Sequence, residues 1–176
     1  MRSFLAIALS PQTRSALTGL QRNLRAGRLV EPDNLHVTLA FLDDQPEATL
    51  EALHEELSLL QSPAFDLNLR GVGCFGGDAP RLIYADVEVT DALLALHRAV
   101  AKAIRRAGIT LKKRKFHPHV TLARLRPYDA PAVAPFLSAE AAFAHDAGSV
   151  THFAMYESVL RPEGPTYHLL AEYDFA

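Results

Sequence analysis

One short pattern occurs twice in this chain. Leu35-His36-Val37-Thr38-Leu39-Ala40-Phe41-Leu42 and Pro118-His119-Val120-Thr121-Leu122-Ala123-Arg124-Leu125 agree at six of eight places. His36 and His119 are 83 residues apart (119 minus 36), close to half of the 176 residues. A strand repeated at that spacing predicts two pseudo-symmetric lobes rather than one strand and an accident, although shared β-favouring Val, Thr and Leu account for part of the likeness. Side chains alternate faces along a strand, so His36 and Thr38 point one way while Leu35, Val37 and Leu39 point the other. His119 and Thr121 stand in the same relation to Val120 and Leu122. Each strand therefore buries its aliphatics and displays a histidine and a threonine. A single strand of this kind would be read as holding a satisfied core histidine; two copies point to one shared site.

The remaining periodicities place these strands in an α+β chain. Ser3 to Leu9 predicts a strand. Ser10 followed by Pro11 is an N-cap with proline in the first turn, opening a helix to about Arg25. Ala26 to Asn34 is a loop. After the first copy of the pattern, Asp43-Asp44-Gln45-Pro46 leads into a helix to about Leu60, apolar at Leu50, Leu53, Leu57 and Leu60. Phe65 to Phe75 and Arg81 to Glu88 form a hairpin across Gly76-Gly77-Asp78-Ala79-Pro80. Thr90 or Asp91 caps a helix to about Ala107, stopped by Gly108. The strand Pro118 to Arg126 is followed by a short helix near Ala132 to Leu137. A last hairpin joins Thr151 to Leu160 and Tyr167 to Phe175. The hairpins imply antiparallel pairing rather than a doubly wound sheet.

Composition sets outer limits. With 49% hydrophobic and 22% charged residues and a formal net charge of -2, the chain is an ordinary globular sequence, which excludes disordered, collagenous and disulfide-scaffold classes. The run Phe4 to Leu9 is too short to span a bilayer or to serve as a secretion signal, so no membrane partner and a cytoplasmic location are expected. Cys74 is the only cysteine, which rules out an intrachain disulfide or a paired-cysteine metal site; it reads as a small buried thiol at a strand end.

Charge is unevenly spread. Arg28 to Arg70 encloses nine acids and no base, whereas Asp91 to Asp129 encloses ten bases and no acid, among them Lys112-Lys113-Arg114-Lys115. The basic stretch is either a solvated surface or a track for a polyanion; its place just before His117 and His119 favours the track.

Two histidines facing one cleft suit a reaction that removes a proton on one side and delivers one on the other. Phosphodiester cleavage makes that demand. In-line displacement needs a base at the attacking oxygen, an acid at the departing one, and fixed donors at the nonbridging oxygens. Imidazole titrates near neutrality and serves either role, and Thr38 and Thr121 are placed to donate to the phosphate.

On these residues the sequence resembles the 2H phosphoesterase superfamily, in particular its RNA 2',3'-cyclic phosphodiesterases, also known as 2'-5' RNA ligase-like proteins. The resemblance rests on two His-x-Thr-x motifs, 36 to 39 and 119 to 122. It extends to Asn34-Leu35, Phe116-His117-Pro118, Glu157-Ser158-Val159-Leu160 and Gly164-Pro165-Thr166-Tyr167. It implies one domain over 1–176 made of two intertwined lobes, with antiparallel sheets lining a central groove and helices outside. It also implies catalysis without metal or other cofactor, with RNA ends or small cyclic nucleotides as partners and a monomer as the working form. The implied reaction opens a 2',3'-cyclic phosphate to a 2'-phosphate, with His36 as proton donor and His119 as proton acceptor. End joining to a 2'-5' linkage would be the reverse reaction, and a non-catalytic nucleotide or RNA-binding module is the alternative of another class.

Phe41 and Arg124 follow each histidine by five residues. The resemblance suggests an aromatic contact to base or sugar for Phe41 and a phosphate contact for Arg124. Strict alternation puts both on the aliphatic face, where core packing is the alternative, unless a bulge or the strand end turns them to the groove. His117 and His119 share a face, but without a nearby Asp, Glu or Cys to complete a ligand set His117 is expected to be structural. His54, His97, His145, His152 and His168 belong to no motif and default to surface or structural roles.

Overall fold

The computed structural model describes residues 1–175; Ala176, the last residue of the expected domain, lies outside the described residues. The strands are β1 (Arg2–Ala8), β2 (Arg28–Leu29), β3 (His36–Asp44), β4 (Phe65–Phe75), β5 (Leu82–Val87), β6 (His119–Arg124), β7 (Ala144–Val150), β8 (His152–Val159) and β9 (Thr166–Asp174). The helices are α1 (Pro11–Gln21), α2 (Glu47–Ser58), α3 (Asp91–Arg106) and α4 (Val133–Ala139), with 3₁₀ turns at Pro32–Asn34 and Pro127–Ala132. The cap residues act as expected: Ser10 Oγ accepts from the Thr13 N–H at 3.2 Å and Thr90 Oγ1 from the Leu93 N–H at 3.2 Å. Each satisfies one donor that a helix start leaves free.

The repeat reaches beyond the two motifs. The succession β1, α1, β3, α2 recurs as β5, α3, β6, α4, each element displaced by about the spacing of the two histidines. All strand pairs among the described residues are antiparallel, in the order β7-β4-β5-β6-β3-β1-β8-β9, with β2 against β6. The two halves meet in one continuous sheet, through the bridged pair Val37 and Val120. Both valines are fully buried, so the local pseudo-dyad runs through packed aliphatics.

Val37, Leu39, Val120 and Leu122 join Leu5, Leu17, Leu53, Leu93 and Leu96 in one core between sheet and helices. β1 is buried continuously from Ser3 to Ile7, covered by that core on one side and by aromatic rings on the other. Among the described residues no helix is long and apolar enough to cross a membrane.

Several boundaries differ from expectation. α1 ends at Gln21, because the chain turns back to lay β2 along β6. The expected loop 26 to 34 thus contains a short strand, and Gly27 (φ 78°) makes the turn: a Cβ there would lie 2.8 Å from the Arg124 carbonyl oxygen. Leu60 lies beyond α2 and is only half-buried. β7 is a strand that periodicity does not announce.

Candidate active site

Pairing Val37 with Val120 sends both valines into the core and turns the next residues on either side to the opposite face. His36, Thr38, His119 and Thr121 accordingly line one groove of about 410 Å³ with Phe41 and Arg124. Its far wall is the β8–β9 connection with Arg161, Gly164 and Pro165, and Arg28 and Glu31 close one end.

Phe41 and Arg124 reach the groove because each motif strand carries a bulge at the same repeat position. In the β1–β3 ladder Leu5 pairs with Ala40 and Ala6 with Thr38, so Leu39 is the extra residue. In the β5–β6 ladder Ile83 pairs with Ala123 and Tyr84 with Thr121, so Leu122 is the extra residue. One inserted residue reverses the facing of all that follow. Phe41 is consequently 54% exposed rather than packed in the core, and Arg124 is exposed. The second bulge is pinned: the Leu122 carbonyl accepts from the Val30 N–H at 2.9 Å and from Nε2 of buried Gln21 at 2.9 Å. Gln21 is a positioning residue that no sequence pattern reveals.

Each imidazole is oriented by the carbonyl two residues before it, just ahead of its strand. Nδ1 of His36 donates to the Asn34 carbonyl and Nδ1 of His119 to the His117 carbonyl, both at 2.6 Å. A carbonyl only accepts, which leaves Nε2 as the reactive nitrogen of each ring. Nε2 of His36 is 2.9 Å from Thr38 Oγ1, whose hydroxyl donates to it while the ring is neutral. Aromatic rings box both histidines. Phe4 and Tyr167 lie 5.0 and 5.4 Å from His36, and Phe75 and Tyr84 lie 4.9 and 5.3 Å from His119, between ring centroids. Tyr84 fits because position 73 is glycine, where any Cβ would overlap its hydroxyl.

That burial governs the electrostatics. Desolvation pushes His36 down to about 4; the Asn34 carbonyl opposes the shift, while His119 and Arg124 add to it. His119 is also lowered, chiefly by burial, against which the His117 carbonyl and the Asp86 carboxylate pull upward. The resting groove therefore holds two neutral imidazoles beside Arg28, Arg124 and Arg161, a setting that favours an anion.

The other histidines lie outside the groove. His117 Nε2 meets Asp86 Oδ1 at 3.1 Å, a partner 31 residues away in sequence. His145 bonds Thr13, His54 bonds Tyr173, and His97 stacks on Phe116 at 3.8 Å. Cys74 is a free, half-buried thiol within β4. Lys112 to Lys115 are exposed on the segment between α3 and β6 and do not line the groove. Besides Gln21, the residues unmarked as site-forming in the sequence are Phe4, Phe75, Tyr84, Arg28 and Arg161. They lie in other elements and share no spacing with the motifs.

The chain is similar to known proteins over nearly its whole length. An RNA 2',3'-cyclic phosphodiesterase of Thermus thermophilus is 35% identical over 98% of this chain and 89% of its own. One of Archaeoglobus fulgidus is 29% identical over 95% and 96%. The structure of Escherichia coli LigT in its apo form superposes with a TM-score of 0.79 at 27% identity, covering 99% of this chain and 96% of LigT; LigT has also been crystallised with 3'-AMP. Residues 9–159 match the family described as the 2'-5' RNA ligase superfamily, and it is to that superfamily that this chain belongs.

Proposed function

We propose that this protein hydrolyses the 2',3'-cyclic phosphate at RNA ends or on small nucleotides to a 2'-phosphate, using His36 and His119 without metal. The observation that carries the reading is the convergence of both His-x-Thr pairs on one groove, each imidazole presenting Nε2. Nε2 of His119 takes a proton from water as its oxygen bonds to phosphorus. The bond from phosphorus to O3' breaks, and His36 Nε2–H delivers its proton to O3'. The products are a 2'-phosphate and a 3'-hydroxyl, with the two ring protons exchanged through solvent. Thr38 and Thr121 donate to the nonbridging oxygens, Arg124 holds the phosphate, and Phe41 lies against sugar or base. When a phosphate oxygen draws the Thr38 hydroxyl away, His36 Nε2 is freed to be protonated, and the substrate's negative charge favours that proton. One chain supplies every one of these groups, which supports a monomer as the working form, and its lone thiol suits the cytoplasm.

The test is incubation with nucleoside 2',3'-cyclic monophosphates in EDTA, read by phosphorus NMR. Conversion to the 2'-phosphate is expected across a bell-shaped pH profile. Because burial lowers both histidines in the free enzyme, the optimum of kcat/KM falls below pH 6.5, and bound phosphate displaces the kcat profile to higher pH. No turnover until zinc or manganese is added would refute the metal-free scheme; binding without turnover under every condition would make the protein a binding module.

RNA rather than mononucleotide as the natural partner is supported by the segment Lys112 to Lys115. Among the described residues none of the four is engaged in an ion pair. Replacing all four with serine is expected to weaken binding of single-stranded RNA and to reduce its salt dependence by about 0.7 in log–log slope for each phosphate that is no longer neutralised. Mononucleotide turnover should stay unchanged. Equal losses for both substrates would contradict this role.

A further inference from the structure

The two halves of the groove match in backbone and differ in charge. Asn34 and His117 are repeat equivalents, each offering a carbonyl to the histidine two residues on. Asn34 is itself held by a neutral contact, its Nδ2 donating to the Pro165 carbonyl at 2.9 Å. His117 is held by a carboxylate, Nε2 lying 3.1 Å from Asp86 Oδ1. Asp86 is also the cross-strand partner of His119 in the β5–β6 ladder, so the side chains of the two stand next to each other on one face. The Val87 N–H donates to the same oxygen at 3.1 Å and fixes its position. Phe75 packs edge-on against both His117 and His119, at 5.2 and 4.9 Å. In the first half the equivalent anchor, Asn34, carries no charge.

We propose that Asp86 is a positioning residue for His119: it anchors His117, whose carbonyl sets the His119 ring, and its negative charge stabilises that ring when it takes a proton. This rests on the hydrolysis reading, in which His119 is the proton acceptor. The asymmetry assigns the roles within a symmetric fold. The histidine beside a carboxylate, His119, gains positive charge during the reaction, and His36, whose anchor is neutral, gives its proton away.

The groups facing His119 are Asp86 and Tyr84 from β5, His36 from β3, Arg124 from its own strand, and His117. His117 and Arg124 oppose its charging, His119 in turn opposes that of His36, and burial together with Asp86 pushes the Tyr84 hydroxyl upward so that it stays neutral. Asp86 is the one anion among them.

The test compares wild type with Asp86→Asn by NMR titration of the imidazole protons and by steady-state turnover of a nucleoside 2',3'-cyclic monophosphate. The His119 midpoint should fall by about half to one pH unit with loss of the carboxylate, while that of His36 stays in place. The rate constant kcat should fall about 10-fold with KM nearly constant, well short of the effect of a buried triad carboxylate because Asp86 is 41% exposed. His117→Gln, which keeps the carbonyl and the Asp86 charge but removes the imidazole that Asp86 holds, should lower kcat by loosening the His119 ring while its midpoint rises rather than falls, and it tests the anchoring should Asp86→Asn not fold. A wild-type enzyme that turns over no cyclic phosphate defeats the proposed function. A wild type that turns over, beside variants with unchanged kcat and an unchanged His119 midpoint, overturns the role of Asp86.

Discussion

Replacing His119 with alanine is expected to slow hydrolysis of a 2',3'-cyclic phosphate by about 10² to 10⁴, the usual worth of a positioned acid or base. His36→Ala should lose as much. The losses should fall on kcat, because Thr38, Thr121 and Arg124 remain to hold the phosphate in either variant. The double variant should be less impaired than the product of the single effects, since a base without its acid, or an acid without its base, already fails to complete the displacement. Single-turnover kinetics on the purified variants, with binding of a 2'-phosphate product followed in parallel, measures each of these. Wild-type rates in both single variants would remove the histidines from the chemistry.

The second large effect belongs to Phe4. Its ring is 4% exposed and lies 5.0 Å from His36, 5.4 Å from Tyr156 and 4.8 Å from Tyr167, so it forms the floor under the first imidazole. Phe4→Ala should cost about 3 to 5 kcal/mol through reduced burial and the cavity left behind. For a chain of this size that lowers Tm by roughly 6 to 20 °C. Water entering the cavity should let His36 rise from about 4 toward its ordinary value. The pH dependence has a definite sign. The unfolded chain takes up the His36 proton near pH 6.5 while the folded protein resists it down to about 4. Stability is therefore full above pH 6.5 and is lost as pH falls toward 4, by about 1.4 kcal/mol for each pH unit that separates the two midpoints. In Phe4→Ala that acid loss should shrink. Thermal melts at pH 7 and pH 4.5 measure both effects, and an unchanged acid slope in the variant would show that Phe4 does not govern the His36 environment.

The parts of the site legible in the sequence are those written in local period. His36 and Thr38, and His119 and Thr121, share faces because alternation along a strand is a property of the strand alone, and Ser10 and Thr90 mark helix starts for equally local reasons. Phe41 and Arg124 are ambiguous in sequence because their facing depends on bulges at Leu39 and Leu122, which arise from register against β1 and β5 rather than from either motif. The link from Asp86 to His117 joins β5 to the segment just ahead of β6 and has no spacing to betray it. β7 is illegible for a different cause. Its residues, Ala-His-Asp-Ala-Gly-Ser-Val, show little apolar alternation, because it is an edge strand supported through its pairing with β4.

Chain order and spatial order disagree in a way that bears on how the protein comes to be built. The half-sheet β7-β4-β5-β6 is drawn mainly from one stretch, 65 to 150, whereas β3-β1-β8-β9 joins the N-terminal strands to the last two. During synthesis the strands of the former are all available first. β1 must wait for β8, with Phe4 paired to Tyr156 across most of the chain, and contacts of such sequence separation are the slow step in folding. A nascent chain halted before β8 would hold His119 in a nearly finished strand array while His36 and Phe4 lacked their closing neighbours. The wall of the groove around His36 is thus completed only once β8 and β9 have been made, and until then β1, already paired with β3, presents its other edge unpaired, where a partly made chain is open to wrong strand pairing.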